Sequence, residues 1–281
     1  MVTGNWKIKK RFWVLLLLFT SYQSPVTGSL LHAASWNELK GDHFIVYYEK
    51  DEAFAKQVVH SAETYYGRIA DDLGYPRYSN FWQWDNRVKI YIYGTVEAFR
   101  KGTGEAEWSH GVAMYSKKEI RTYQSSDGFL DGILPHEITH LIFRDFVGLT
   151  GRVPIWIDEG VAQWEEPAKR ALAIKVARWL IHTDKDLLLQ DLTAKDPRAE
   201  TDPEVVQHYY MQAISLVDYL IRKAGGKTFT EFCRALRDGK SLEEALRTTY
   251  RIETQWDLQE QWKKDVMGQP VTDELEVYAR T

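Results

Sequence analysis

The chain has 281 residues, 44% of them hydrophobic and 27% charged, enough for one large domain or a domain with two lobes. Lys and Arg number 36 against 40 Asp and Glu, a formal net charge of −4, so no basic excess points to nucleic acid. The single cysteine, Cys233, excludes an internal disulfide. It lies on the apolar face of the predicted helix FTEFCRALRDG and reads as a small buried hydrophobe.

The first 34 residues read as an export segment. NWKIKKR carries four positive charges, and the apolar run FWVLLLLFT follows. That run is too short to span a bilayer, which needs about 20 residues, and it suits a signal peptide. Small residues close VTG at Gly28 and HAA at Ala34. The expected location is outside the cytoplasm: extracellular, periplasmic or cell surface. An uncleaved anchor is the alternative, and membrane contact is expected only through it. No cysteine follows the apolar run to take a lipid.

HFIVYYE, rich in β-branched and aromatic residues, predicts a strand. Phe54, Val58, Ala62, Tyr65 and Ile69 then recur at helical spacing, between a capping Asp51 and Gly74. RVKIYIYG predicts a second strand, and HGVAMYS and EIRTYQ two more, joined by KKE. Beyond Ser125 the pattern turns helical. DGFLDGILPHEITHLIFRDFVG reads as one helix, or as two pieces broken near Pro135. A long helical stretch starts at Pro154, with Pro167 as a candidate break. PEVVQHYYMQAISLVDYLIRKAGG stops at Gly225 and Gly226. Three short helices and a loose tail, 268–281, close the chain. Strands first and helices later predict an α+β fold: a small, mostly antiparallel N-terminal sheet with a packed helix, then a helix pair and a helical C-terminal lobe.

Within ILPHEITH, His136 and His140 stand four apart and share one helix face, so both imidazoles can reach one ion. Glu137 points to one side, where it can reach a water at that ion without ligating it. A catalytic zinc site needs a third protein ligand and an open position. A metzincin continuation is excluded, because Phe143 and Phe146 stand where Gly and His are needed. A cysteine ligand upstream is absent. A glutamate on the next helix is the remaining solution. Glu159 in WIDEGVAQW follows His140 with 18 residues between, room for a loop and a returning helix, and Gly160 permits close helix packing. Two imidazoles and a carboxylate also suit iron or cobalt; zinc is the first choice.

At these residues the chain resembles the gluzincin metallopeptidases: HEITH, 18 residues, then DEGVA. More closely it resembles the bacterial peptidase MA-like domain family. ILPHEITHLIFRDFVG, VPIWIDEGVAQWEE, YMQAISLVDYLIRKAGG and the closing GKSLEEALRTTY and TQWDLQEQW carry that resemblance, from about Trp36 to Val266. It implies a peptidase domain over 35–267, Zn2+ held by His136, His140 and Glu159, and Glu137 as general base. It also implies Tyr210, opening a Y-x-Q-[AS] stretch, as a donor to the oxyanion. Val206, Tyr210, Ala213, Val217 and Leu220 form one helical stripe, so Tyr210 equally suits plain core. Tyr209 and His208 are lesser alternatives. Gly111 to Tyr115 reads as a substrate-pairing edge or as a plain hairpin. His110 reads as a surface residue, Asp158 as a partner to a ligand histidine or, the favoured reading, a helix cap, and Arg144, Asp145, Glu165 and Glu166 as solvated helix charges.

The expected function is an exported zinc-dependent metallopeptidase, hydrolysing peptide or protein substrates through a zinc-activated water. The alternative is a metal-binding but non-hydrolytic cell-envelope module on the same scaffold. The intact Glu137 argues against it.

Overall fold

The computed structural model describes residues 36–74, 82–104, 110–124, 128–147 and 153–269. The export segment and all but the start of the predicted tail lie outside the described residues.

Five strands form one sheet: β1 (Asn37–Lys40), β2 (Phe44–Tyr48), β3 (Val88–Tyr93), β4 (Gly111–Met114) and β5 (Glu119–Tyr123), in the order β1-β2-β3-β5-β4. The alternation read from the sequence sets the faces. Phe44 and Val46 on β2, Val88, Ile90 and Ile92 on β3, and Ile120 on β5 are buried. Val46 stands beside Ile90, and Ile90 beside Ile120. Helix α1 (Glu52–Asp72) covers that face, capped by Asp51 through the Phe54 amide.

The sheet is mixed, where the sequence suggested mostly antiparallel pairing. β1–β2 and β4–β5 are antiparallel, but β2–β3 and β3–β5 are parallel. The reason lies in the connections. α1 separates β2 from β3, and α2 (Val96–Thr103) leaves from the end of β3, so the chain crosses over rather than folding back. Among the described strands β4 is the outermost, beside β5.

The rest is helical: α3 (Leu134–Val147), α4 (Ile155–Trp164), α5 (Pro167–His182), α6 (Leu189–Ala194), α7 (Pro203–Arg237), α8 (Leu242–Tyr250) and α9 (Gln255–Gly268). Pro167 does divide α4 from α5, and stands at the start of α5. α3 packs on α1, and both α4 and α5 pack along α7. α7 is broken at Gly225, whose φ of 82° and ψ of 160° are not helical. Gly226 follows, pressed against the end of α1, where a Cβ would collide with the Asp72 carbonyl. One core runs from the sheet through Ile138 and Trp156 to Phe229 and Trp262. Cys233 is buried within it and forms no disulfide. Among the described residues, no helix is long and apolar enough to cross a membrane.

Candidate metal centre

The metal helix begins with a widened turn. Residues Phe129–Ile133 form a π-helical turn after Gly128, and regular α-helix takes over at Leu134. Pro135 has no N–H to continue the wider pattern, so the change of pitch falls there and α3 then runs without interruption. The Thr139 hydroxyl donates to the Pro135 carbonyl at 2.6 Å, fixing the turn that carries His136.

His136 and His140 face the same way from successive turns of α3. Their Nε2 atoms are 3.1 Å apart. Glu159 enters from α4, with Oε2 3.9 Å from His136 Nε2 and Oε1 3.9 Å from His140 Nε2. All three are buried, and among the described residues they are the group arranged to hold a metal ion. α4 comes close because Gly160 lies on α7, where a Cβ would stand 2.9 Å from Val217 Cγ2 and 3.0 Å from the Ala213 carbonyl oxygen.

The donor atoms fit a small cation. Ligands at about 2.0–2.1 Å in a tetrahedral array lie roughly 3.3–3.4 Å from one another, close to the spacings here. The protonation pattern gives a second test. Each histidine turns its Nδ1 toward a carboxylate: His136 to Glu166 at 3.0 Å and His140 to Asp158 at 3.1 Å. An imidazole that donates from Nδ1 offers a lone pair at Nε2. Two such lone pairs facing at 3.1 Å repel unless a metal ion or a proton lies between them.

These carboxylates are themselves held. Glu166 accepts from Lys169 Nζ at 2.8 Å, and Asp158 from Arg144 Nη2 at 2.6 Å. Burial works against ionised Asp158, but His140 and Arg144 pull it down to about 2. Burial likewise disfavours charge on His140, yet Asp158, then Glu159 and Glu137, raise it to about 9. Glu166 is shifted down, with Lys169 and His136 overcoming its burial. Carboxylates in these places fix ring orientation and raise ligand basicity.

Glu137 is 4% exposed, and its Oε2 has no hydrogen-bond partner among the described residues. Burial raises its pKa, the two histidines oppose, and Glu159 and Glu166 add to the rise. An orphaned buried carboxylate oxygen costs stability, about 1–3 kcal/mol or more, and calls for a functional explanation. It lies beside the two imidazoles whose Nε2 atoms face each other.

Tyr115 also reaches this cluster. It sits in a short turn directly after β4. Its ring meets the His140 ring edge-on, with centroids 5.9 Å apart, and the Arg144 guanidinium lies over it at 4.1 Å. Burial raises its pKa well above the ordinary phenol value, and the charges of Glu137, Asp158 and Glu159 add to that.

His136, His140 and Glu159, read from the sequence as one group, do converge. Other residues fall differently. Asp158 caps nothing: Pro154 holds the N-cap position of α4, and the Asp158 carboxylate serves His140 and Arg144. Glu165 and Glu166 are buried rather than solvated. Arg68 of α1 donates to both the carboxylate and the carbonyl of Glu165. Asp145 is exposed yet accepts from Trp82 Nε1 and pairs with Lys118. Tyr210 is buried, as are all five residues of its stripe, and packs edge-on against Tyr209. His208 lies beside Trp179 and Glu204. His110 is half-buried and bonds to the Tyr123 hydroxyl at 2.7 Å.

Two imidazoles one helical turn apart and a glutamate from the next helix match the zinc site of a gluzincin metallopeptidase. The chain belongs to the peptidase MA superfamily, whose family model matches residues 81–268. No match was found among the curated proteins.

Proposed function

We propose that the protein is an exported, zinc-dependent metallopeptidase that hydrolyses peptide bonds with Glu137 as general base. The observation that carries this reading is the orphaned Glu137 oxygen beside the buried His136–His140–Glu159 group. His136 and His140 through Nε2, and Glu159 through its carboxylate, would hold the ion. Zinc, when bound, supplies Lewis-acid polarisation of the scissile carbonyl and lowers the pKa of water to about 7.

The chain's own residues do the rest. Glu137 takes the proton of the attacking water and later delivers it to the leaving amine. Its raised pKa suits both acts, because the carboxyl then holds the proton between them. Asp158 and Glu166 keep both imidazoles turned so that Nε2 faces inward. Tyr210 is kept as a candidate donor to the oxyanion, and its burial on α7 equally supports a core role.

An edge strand beside the site supports a peptide as substrate. Among the described residues β4 is the outermost strand of the sheet and α3 packs against it, which favours the reading of Gly111 to Tyr115 as a place for an extended main chain. For domain limits, we extend the peptidase unit to residues 35–267. β1 and β2 belong to the same sheet as β3, and α1 packs on α3. The basic and apolar pattern of residues 1–34 supports export.

Glu137→Gln tests the chemistry. The variant is expected to bind zinc like the wild type and to cleave nothing. Retained cleavage would remove Glu137 from the mechanism.

A further inference from the structure

We propose that Arg68, on α1, is a positioning residue of the metal centre: it holds the peptide unit that leads into Glu166, and through Glu166 it sets the ring of His136. This rests on the reading of His136, His140 and Glu159 as zinc ligands and deepens it.

Glu165 and Glu166 are the two residues between α4 and α5. Their carboxylates leave this short junction toward different partners. Glu166 meets His136 Nδ1 at 3.0 Å and Lys169 Nζ at 2.8 Å. Glu165 meets Arg68, whose Nε donates to Oε2 at 3.2 Å. Arg68 Nη2 also donates to the Glu165 carbonyl oxygen at 2.5 Å. That carbonyl shares its peptide plane with the N–H of Glu166. The N–H donates in turn to the Gln163 carbonyl at 3.1 Å. The plane is thus held at both ends, and turning it breaks a bond to α1 or to α4.

The other side of Glu166 is fixed as well. Its backbone is extended, with φ −91° and ψ 104°, as a residue ahead of proline favours, and Pro167 follows. With the plane before it and the proline after it both set, the Glu166 carboxylate stays on His136 Nδ1. The ring then keeps its Nε2 toward His140. A guanidinium suits this work, because its fork can serve a carboxylate and a carbonyl together. Arg68 is itself steadied over the Tyr65 ring, 4.9 Å from the centroid. It also lies ahead of residues 81–268, so α1 brings a residue from outside the matched span into the metal framework.

The test measures zinc affinity by chelator competition on the full chain, for wild type, Arg68→Met, Glu166→Ala and the double variant. Arg68→Met keeps an aliphatic stem and loses the donors. It is expected to weaken zinc binding by about three- to tenfold, the lower part of what loss of a partner to a ligand histidine costs. In the Glu166→Ala background the same substitution is expected to change affinity by less than about twofold, because Arg68 acts through Glu166. A merely structural arginine would weaken both backgrounds alike. Arg68→Lys keeps the charge but not the fork; its loss is expected to be intermediate and again absent in Glu166→Ala, and it carries the cycle if Arg68→Met does not fold. Wild-type zinc affinity in the folded Arg68 variants, or an equal loss in both backgrounds, overturns the proposal and leaves the three ligands in place. A wild type that binds no zinc overturns the reading beneath it as well.

Discussion

Glu166 gives the sharpest test of how the site is built. The carboxylate is 4% exposed, and Oε1 is shared between His136 Nδ1 at 3.0 Å and Lys169 Nζ at 2.8 Å. Glu166→Ala removes the acceptor that turns His136, so the ring can rotate and its tautomer is no longer fixed. Loss of such a partner weakens metal binding by about 10–100-fold, or roughly 1.4–2.7 kcal/mol. Glu166→Gln keeps an oxygen that can accept from Nδ1 but loses the charge facing Lys169. Its loss of affinity is expected to be smaller, under about tenfold. The assay is zinc competition with a chromophoric chelator at neutral pH, with thermal unfolding of the metal-free chains as the folding control. Wild-type zinc affinity in Glu166→Ala would refute the reasoning, because the buried contact would then do nothing for the ligand.

Two further predictions concern the frame. Glu165 is raised from 4.5 to about 7, chiefly by burial, with Arg68 opposing and Asp72 adding. Below its unfolded pKa the carboxyl is protonated in both states; from about 4.5 to about 7 only the unfolded chain ionises, so stability falls by up to about 3 kcal/mol and levels off above that window. Glu165→Gln should therefore flatten the fall in stability measured by urea unfolding between about pH 5 and about pH 8, and an unchanged slope would contradict it. Gly226→Ala puts a methyl into the Asp72 carbonyl and should cost about 2–3 kcal/mol or more, while Gly268→Ala, with open space around it, should be near neutral. Equal midpoints for these two variants would contradict the close contact between α7 and α1.

The metal ligands were legible because their geometry is local. A four-residue step on one helix and a short return to the next determine nearly everything about His136, His140 and Glu159. Of the carboxylates behind them, Glu166 was not legible, and Asp158 reads from sequence as a partner to a ligand histidine only after a helix cap. Glu166 and Asp158 are charged residues at helix ends, where most charges face water, and only the packing of α4 on α3 turns these two inward. Arg68 reaches Glu165 across 97 positions of sequence, which no local pattern records. The parallel pairings escaped for the same reason, since strand order depends on crossovers and not on the alternation within a strand. Pro135 was marked as a break, and the change of helical pitch just ahead of it is the form that break takes.

The central claim is that a metal held by His136, His140 and Glu159 drives peptide hydrolysis. It is tested most directly by digesting a diverse peptide library with the chain as purified, after chelator stripping, and after return of zinc. Cleavage should vanish on stripping and return when one zinc per chain is restored. Cleavage that survives the loss of metal, or a zinc-replete chain that cleaves nothing, would contradict the account.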